Sequence, residues 1–400
     1  MDESSVANSV SSAVYDMNHD ETDILITSLQ QLSPFFAVSK TRYGGRGCFA
    51  ADFIPQNSVI LTCQNPLSST ITKPFKKEVC HYCFNYLDGA TLKFKLSKAL
   101  PGSKEIFSIH FCQQSCQDNF VKNDIDELHL SSLLLVEKYY IQGLKNLSSK
   151  ELELKQPETS NLYQTIIDEW AKVDDWDASI KKMKQHKRLN QVPIISDSDY
   201  METKYVVGVL FQLYKAQQVQ ATVPKGKYLG DFTDDEVNQF EINMFNILQS
   251  SELNKVEKYP YLLYSYINIY KFIRLISRQE LQPFISPNRV RSIIGKNLSN
   301  AFGIWSNVTS KTEDKEFFGF GVYPSASFFN HSCGPNIIKT RIDNKLVFTT
   351  LRDIQPGEEL NIDYGNYLNE DVLVRRSQLK EWFFDCGCSK CEEDLKQIKP

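Results

Sequence analysis

Between Pro34 and Cys63 the apolar residues come in short runs: Phe35-Phe36-Ala37-Val38, Cys48-Phe49-Ala50 and Val59-Ile60-Leu61. Gly44, Gly45 and Gly47 punctuate them, and the pattern predicts short strands joined by turns. The period then changes. Asp124–Gly143, Asn161–Val173, Glu202–Val219, Asp234–Leu248 and Tyr261–Arg278 alternate apolar and polar residues at helical spacing. From Asn300 the character returns to strands. Ile337–Ile342 and Leu346–Leu351 flank Asp343-Asn344, a hairpin signal. Pro356-Gly357-Glu358-Glu359 is a turn before a strand over Leu360–Tyr364, and Asp371–Trp382 reads as a short helix. Met1 to Ser39 contain no Lys or Arg, so residues 1–32 are expected to be a disordered acidic tail, turning helical near Thr22–Leu32. Ser148–Thr159 and Lys181–Pro193 read as linkers or surface loops. The basic run Lys181, Lys182, Lys184, Lys187 and Arg188 reads as a solvated helix end. No internal repeat is visible. Strands, helices and strands again make an α+β chain whose β part is split in sequence and must reassemble in space.

Composition narrows the function more than the fold. The chain has 400 residues, 24% of them charged and 42% hydrophobic, which is ordinary globular composition. The net charge of −4 gives no global argument for nucleic-acid binding and suits a basic peptide. No apolar run is long enough to span a bilayer. No positive n-region precedes an apolar stretch at the N-terminus. The expected location is the cytoplasm or nucleus, with no membrane partner, and the expected state is a monomer. Ten cysteines in such a chain argue for metal rather than disulfides.

Those cysteines divide into two sets of four. Cys386-x-Cys388-x-x-Cys391 offers three ligands of a tetrahedral zinc site. Cys333, in the turn-like segment Phe329-Asn330-His331-Ser332-Cys333-Gly334-Pro335-Asn336, is a suitable fourth. Closing that site pins the C-terminal tail against Asn330-His331. Cys80-His81-Tyr82-Cys83 and Cys112-Gln113-Gln114-Ser115-Cys116 make the second set. His81 and His110 are alternative ligands that four thiols do not need. Cys48 and Cys63 lie in apolar, strand-like segments and read as core residues.

A metal-stapled tail, an Asn-His pair and the strand-end Tyr of Asn361-Ile362-Asp363-Tyr364-Gly365 together resemble a SET-domain lysine methyltransferase. The resemblance implies a split SET β fold with a pseudoknot, in which Asn330-His331-Ser332-Cys333 passes under the C-terminal segment. It implies S-adenosylmethionine as cofactor, with Asn330 and His331 holding its amino-acid end and adenine edge. Tyr364 would be the catalytic residue, touching the cofactor and orienting the incoming amine for in-line methyl transfer. The lysine must be neutral to attack, and an apolar channel beside a sulfonium favours that form. Gly44-Gly45-Arg46-Gly47 resembles the family's Gly-Arg-Gly loop, implying cofactor contacts from the backbone of Arg46 and Gly47. Asn300-Ala301-Phe302-Gly303-Ile304 resembles the segment whose Asn contacts cofactor and whose Phe lines the lysine channel. Phe384 stands where relatives carry an aromatic that covers adenine. The protein partner implied is a substrate, histone or non-histone, presenting a lysine.

The cysteine set at 80–116 resembles a MYND zinc finger from which the second metal site is missing, so it is expected to be a structural staple. The whole is similar to the SET-and-MYND family, in a short fungal-type form ending just past the last zinc ligand. The division this implies is 1–32 acidic tail, 33–79 N-terminal SET half, 80–120 reduced finger, 121–290 helical insert, 291–367 C-terminal SET core and 368–400 zinc-bound post-SET segment. Trp382 stands where many relatives carry a channel Tyr; an indole is bulkier and only donates, so it is expected to limit how many methyl groups the amine receives. With the halved finger and the missing C-terminal helical domain, it also motivates an alternative: a weak or inactive SET scaffold that acts by binding. A zinc-dependent nucleic-acid binder is disfavoured by the acidic charge and the ligand spacing.

Overall fold

The computed structural model describes residues 28–42, 45–99, 106–146, 156–157, 161–306, 315–365 and 367–398. The acidic tail up to residue 27, and Ser148–Thr159 apart from 156–157, lie outside the described residues. Among the described residues twelve strands run in chain order: β1 Phe36–Lys40, β2 Arg46–Ala50, β3 Val59–Cys63, β4 Ser68–Ile71, β5 Phe94–Ala99, β6 Ile106–Phe111, β7 Ala301–Trp305, β8 Phe317–Val322, β9 Asn330–His331, β10 Ile337–Ile342, β11 Lys345–Thr350 and β12 Glu359–Ile362. They form small sheets among helices, so the α+β expectation holds. No helix among the described residues is long and apolar enough to cross a membrane.

The chain divides into two compact units. The first is Met1–Pro66, Ala221–Leu248 and Tyr323–Pro400. It holds a sheet in the order β1-β2-β12-β9 and a second in the order β10-β11-β3. Cys48, Ala50 and Leu360 are buried in the central strands β2 and β12, Leu346 and Phe348 in the central strand β11, and Ile60 and Cys63 in the edge strand β3. The two leftover cysteines of the sequence are thus core residues. The expected hairpin forms, with Asp343 at positive φ (53°) in the turn, a conformation that Asp tolerates better than most residues. The strand expected over Leu360–Tyr364 is shorter: β12 ends at Ile362, and Tyr364 lies in the bend beyond it. One helix, Asp234–Asn246, belongs to this unit's middle segment. It starts on a capping box between Thr233 and Glu236 with three acidic residues in its first turn.

The second unit is Leu67–Gln220 and Gln249–Val322. It contains the sheet β4-β8-β7, the β5–β6 hairpin and most of the helices. Leu262–Ile276 is typical: Leu263, Tyr266, Ile267, Tyr270 and Ile273 are buried at intervals of three and four residues. Asp197–Val219 starts at the cap of Ser196 and buries Val206, Val207, Val209 and Leu210. Among the elements absent from the periodicity reading are β4, the β5–β6 hairpin and the helices Gln114–Asn123, Glu252–Lys258, Pro287–Asn300 and Ser389–Ile398. The expected loop Lys181–Pro193 contains a short helix, Gln185–Leu189.

Candidate active site

Two short strands run side by side where the candidate residues meet. β9 and β12 pair in parallel, Asn361 opposite Asn330 and Ile362 opposite His331. Such a pair has little ladder of its own, and side chains extend it. The amide of Asn336 donates to the Glu359 carbonyl at 2.9 Å and accepts the Asn361 N–H at 2.8 Å. Asn336 is buried and in effect supplies one more rung. Its place in the cysteine motif was visible in sequence, but that it would replace backbone pairing was not.

This pairing sets the place of Tyr364, two residues beyond β12. Its hydroxyl donates to the Phe329 carbonyl at 2.9 Å, and its backbone N–H donates to Nδ1 of His331 at 3.1 Å. Burial, reinforced by Cys48 and Glu359, raises the phenol pKa well above its ordinary value, so the neutral form dominates. Burial lowers the pKa of His331, opposed by Asp363, whose carboxylate is 3.7 Å from Nδ1. Lys339, on β10, is pushed down to about 8 by burial, opposed by Asp363.

Around Tyr364 the aromatic rings gather. The His331, Trp382 and Phe384 rings lie 5.4, 5.7 and 6.1 Å from it, centre to centre. Between the last two, Phe383 takes a left-handed conformation (φ 63°), unusual for so bulky a residue, and this turns the chain sharply. Trp382 remains 36% exposed and is available to a ligand.

Asn330 spends both amide hydrogens inside the protein, on the Arg46 carbonyl at 3.0 Å and on Glu359 at 2.9 Å. Its Oδ1 is the remaining capacity, an acceptor suited to an ammonium group. Gly47 makes this possible. A Cβ there would lie 2.7 Å from Glu359 Oε1 and 2.8 Å from Asn330 Nδ2. The Arg46 side chain turns elsewhere: it donates to the Ile247 carbonyl at the end of helix Asp234–Asn246 and lies 5.3 Å from the Phe328 ring centre. Asn300 and Phe302 belong to the second unit. There Asn300 closes helix Pro287–Asn300, donating to the Lys296 carbonyl at 2.8 Å, and Phe302 is half-buried in β7 opposite Gly321.

Both cysteine sets assemble. The thiols of Cys333, Cys386, Cys388 and Cys391 lie within 4.8 Å of one another, as do those of Cys80, Cys83, Cys112 and Cys116. Cys333 Sγ is 4.0 Å from Cys386 and 3.5 Å from Cys391; Cys112 is 3.4 Å from Cys83 and 3.7 Å from Cys116. Zinc–sulfur bonds of tetrahedral sites place their sulfurs about 3.8 Å apart, so both sets fit that ion. Around the tail set, Arg375 is 3% exposed, donates to Cys391 Sγ at 3.8 Å and pairs with Asp394. A buried cation there offsets the negative charge that four thiolates leave on a divalent metal. In the other set, His110 spends its nitrogens on Leu92 and Ser108, and His81 is packed on Phe120 with its pKa lowered to about 3 by burial. Neither histidine is in the thiol group.

The SET domain family model matches residues 164–365. The chain is 31% identical over 388 residues to the Potential protein lysine methyltransferase SET6 of Saccharomyces cerevisiae, covering 92% of this chain and 98% of that protein. A SET and MYND domain-containing protein of Dictyostelium discoideum is 38% identical over 109 residues, 27% of this chain and 26% of its own. The Histone-lysine N-methyltransferase SMYD3 of Homo sapiens is 37% identical over 93 residues, 23% of this chain and 22% of its own.

Proposed function

This chain belongs to the SET-domain family, and from that membership we propose that it is a protein-lysine N-methyltransferase using S-adenosylmethionine. The observation that carries the reading is the anchoring of Tyr364 by Phe329 and His331, beside the free acceptor of Asn330 and the exposed rim of Trp382. When bound, S-adenosylmethionine supplies an electrophilic methyl group. Asn330 Oδ1 is proposed to accept from its ammonium, and Phe384 to cover its adenine face. His331, its ring engaged on both sides, would contribute through its backbone, as would Arg46 and Gly47. Roles for Asn300 and Phe302 rest on the family resemblance alone.

The Tyr364 hydroxyl has given its hydrogen to Phe329, so toward substrate it can only accept. An amine N–H donated to that oxygen turns the nitrogen lone pair in a fixed direction, and positioning of this kind supplies much of the rate of a displacement. Because the phenol stays neutral, it does not hold the substrate as an ammonium. The rings about Tyr364 desolvate the amine and favour its neutral, attacking form. The two thiol sets are proposed as structural zinc sites.

Labelled methyl donor incubated with the protein and a cell extract should label protein lysine, and Tyr364→Phe should abolish the signal; equal labelling by the variant would overturn the assignment. One observation favours a second reading, a scaffold that binds but transfers poorly: the Trp382 ring packs against Tyr364, where bulk narrows a channel. Calorimetry separates the two, since donor binding without turnover on any protein in the extract belongs to the scaffold.

A further inference from the structure

Four cationic side chains rim a cavity of about 660 Å³ built wholly within the second unit. That is the size of a pocket that takes a compact ligand or a short peptide segment. Helices Leu128–Asn146 and Leu262–Ile276 floor it with Leu135, Tyr139 and Leu275, all half-buried. The rim carries Lys181, Arg188, Arg274 and Arg278, and among the described residues no Asp or Glu lines it. Lys181 and Arg188 come from the basic run at 181–188, which methyl transfer leaves without a role.

The cations are only partly neutralised. Lys181 and Arg274 share a single carboxylate, Asp177, at 2.9 and 2.6 Å. Arg278 pairs with Glu280. Arg188 donates to the backbone carbonyls of Met183 at 2.8 Å and Lys181 at 3.1 Å, and meets no carboxylate among the described residues. Four cations against two acids leave the rim positive in a protein of net charge −4. A positive rim over an apolar floor matches anions carried beside an apolar side chain. The apolar residues line a concavity, whereas helices that bind a membrane surface insert an apolar face into it. Guanidinium forks match the planar pair of oxygens of a carboxylate, as they do phosphate oxygens.

We propose that this cavity docks an acidic peptide segment of a partner protein, with one apolar side chain against Leu135 and Leu275 and flanking carboxylates on Arg188 and Arg278. The inference does not rest on methyl transfer, so a binding assay tests it separately. The full chain is titrated against short fluorescent peptides with a central Leu, Phe or Trp flanked by Asp and Glu. Comparators are the same peptides with Lys flanks, a poly-glutamate peptide lacking the apolar residue, and phosphatidylserine vesicles.

Saturable binding of an acidic, apolar-centred peptide is expected, weakening as salt rises. Arg188→Glu should weaken it about tenfold or more, through a lost charge-assisted pair and a new repulsion. Arg188→Gln should fall between. Lys182→Glu, the same charge change on an exposed residue outside the lining, should leave affinity within about twofold, and circular dichroism checks that each variant folds. The proposal is overturned if no acidic peptide outbinds its Lys counterpart, if poly-glutamate binds equally well, if Arg188→Glu has no effect, or if vesicles capture the protein and the peptides do not.

Discussion

The backbone N–H of Tyr364 donates to Nδ1 of His331 at 3.1 Å. A neutral imidazole that accepts at Nδ1 carries its proton on Nε2, and Nε2 lies 3.3 Å from Cys333 Sγ. One ring therefore joins the tail's thiol cluster to the bend that carries the Tyr364 hydroxyl. His331→Ala removes both links and strands a backbone donor, which costs about 1–3 kcal/mol. Asn in that place can still accept from Tyr364 N–H; Gln reaches toward Cys333 instead. The Asn variant should therefore keep more methyl transfer than the Gln variant, with both melting below wild type. Turnover and melting curves of the three variants check this, and equal turnover in Asn and Gln would count against the link to Tyr364.

Tyr364→Phe removes one oxygen and leaves the Phe329 carbonyl without its donor. The folding cost should be about 1 kcal/mol, the usual net worth of such a bond. The loss in turnover should be much larger, about a hundredfold or more, because misdirecting an attacking lone pair is costly. Affinity for the donor, measured by calorimetry, should change little. A proportional fall in both would mean that Tyr364 shapes the donor pocket rather than orienting the amine.

The sequence announced this site through residues whose chemistry leaves few alternatives. Eight cysteines marked both thiol clusters, and Asn330, His331 and Tyr364 were legible as a motif. What it hid were the supports. Asn336 acts as a backbone surrogate, Arg375 neutralises a thiol cluster, and Glu359 holds Asn330; each depends on contacts between residues 16 to 29 apart that no local period records. β5 alternates half-buried and exposed residues with no fully buried side chain, a weak strand signal, and Ser389–Ile398 is a polar helix whose buried residue is Cys391. The cavity in the second unit was invisible for a related reason: its basic rim reads as solvated until a helix pair places an apolar floor beneath it.

Native mass spectrometry of purified protein should find two zinc ions. Cys386→Ser should lose one and Cys83→Ser the other, since the clusters share no ligand. Cys48→Ser should keep both, because that thiol is buried in the sheet core. Metal binding to such sites is coupled to folding, so chelation should lower the melting temperature and the tail variant should also lose turnover. Loss of both ions from either single variant would show that the clusters are not independent.

Gly47→Ala tests the approach of Asn330. Its Cβ would fall 2.7 Å from Glu359 Oε1, 2.8 Å from Asn330 Nδ2 and 2.9 Å from Thr41 Cγ2, so the Asn330–Glu359 hydrogen bond must move. Overpacking of this kind costs about 1–3 kcal/mol, and displacing Asn330 Oδ1 should weaken donor binding as well. Gly45→Ala is the comparison. Nothing lies within 4 Å of its Cβ, but its φ is +76°, so it should cost about 1 kcal/mol of backbone strain and leave donor affinity unchanged. Equal donor affinity in both variants would remove Gly47 from the argument.

Glu241 gives the fold a pH dependence that a single substitution isolates. It is 2% exposed and accepts from Ser325 N–H at 2.9 Å and from Ser325 Oγ at 2.5 Å, fixing the turn that precedes Phe329. Burial, partly offset by those bonds, raises its pKa from the ordinary 4.5 to about 7. The folded state therefore binds the proton more tightly than the unfolded chain. The stability this contributes is fully present below pH 4.5 and is lost as pH rises to about 7, some 3 kcal/mol over the window. Glu241→Gln cannot ionise. Relative to it, the wild type should lose stability between about pH 5 and 7, and the two curves should run parallel above that range. Denaturant melts of both proteins across the window read the difference, and parallel curves throughout would place the carboxyl in a wetter setting than its burial implies.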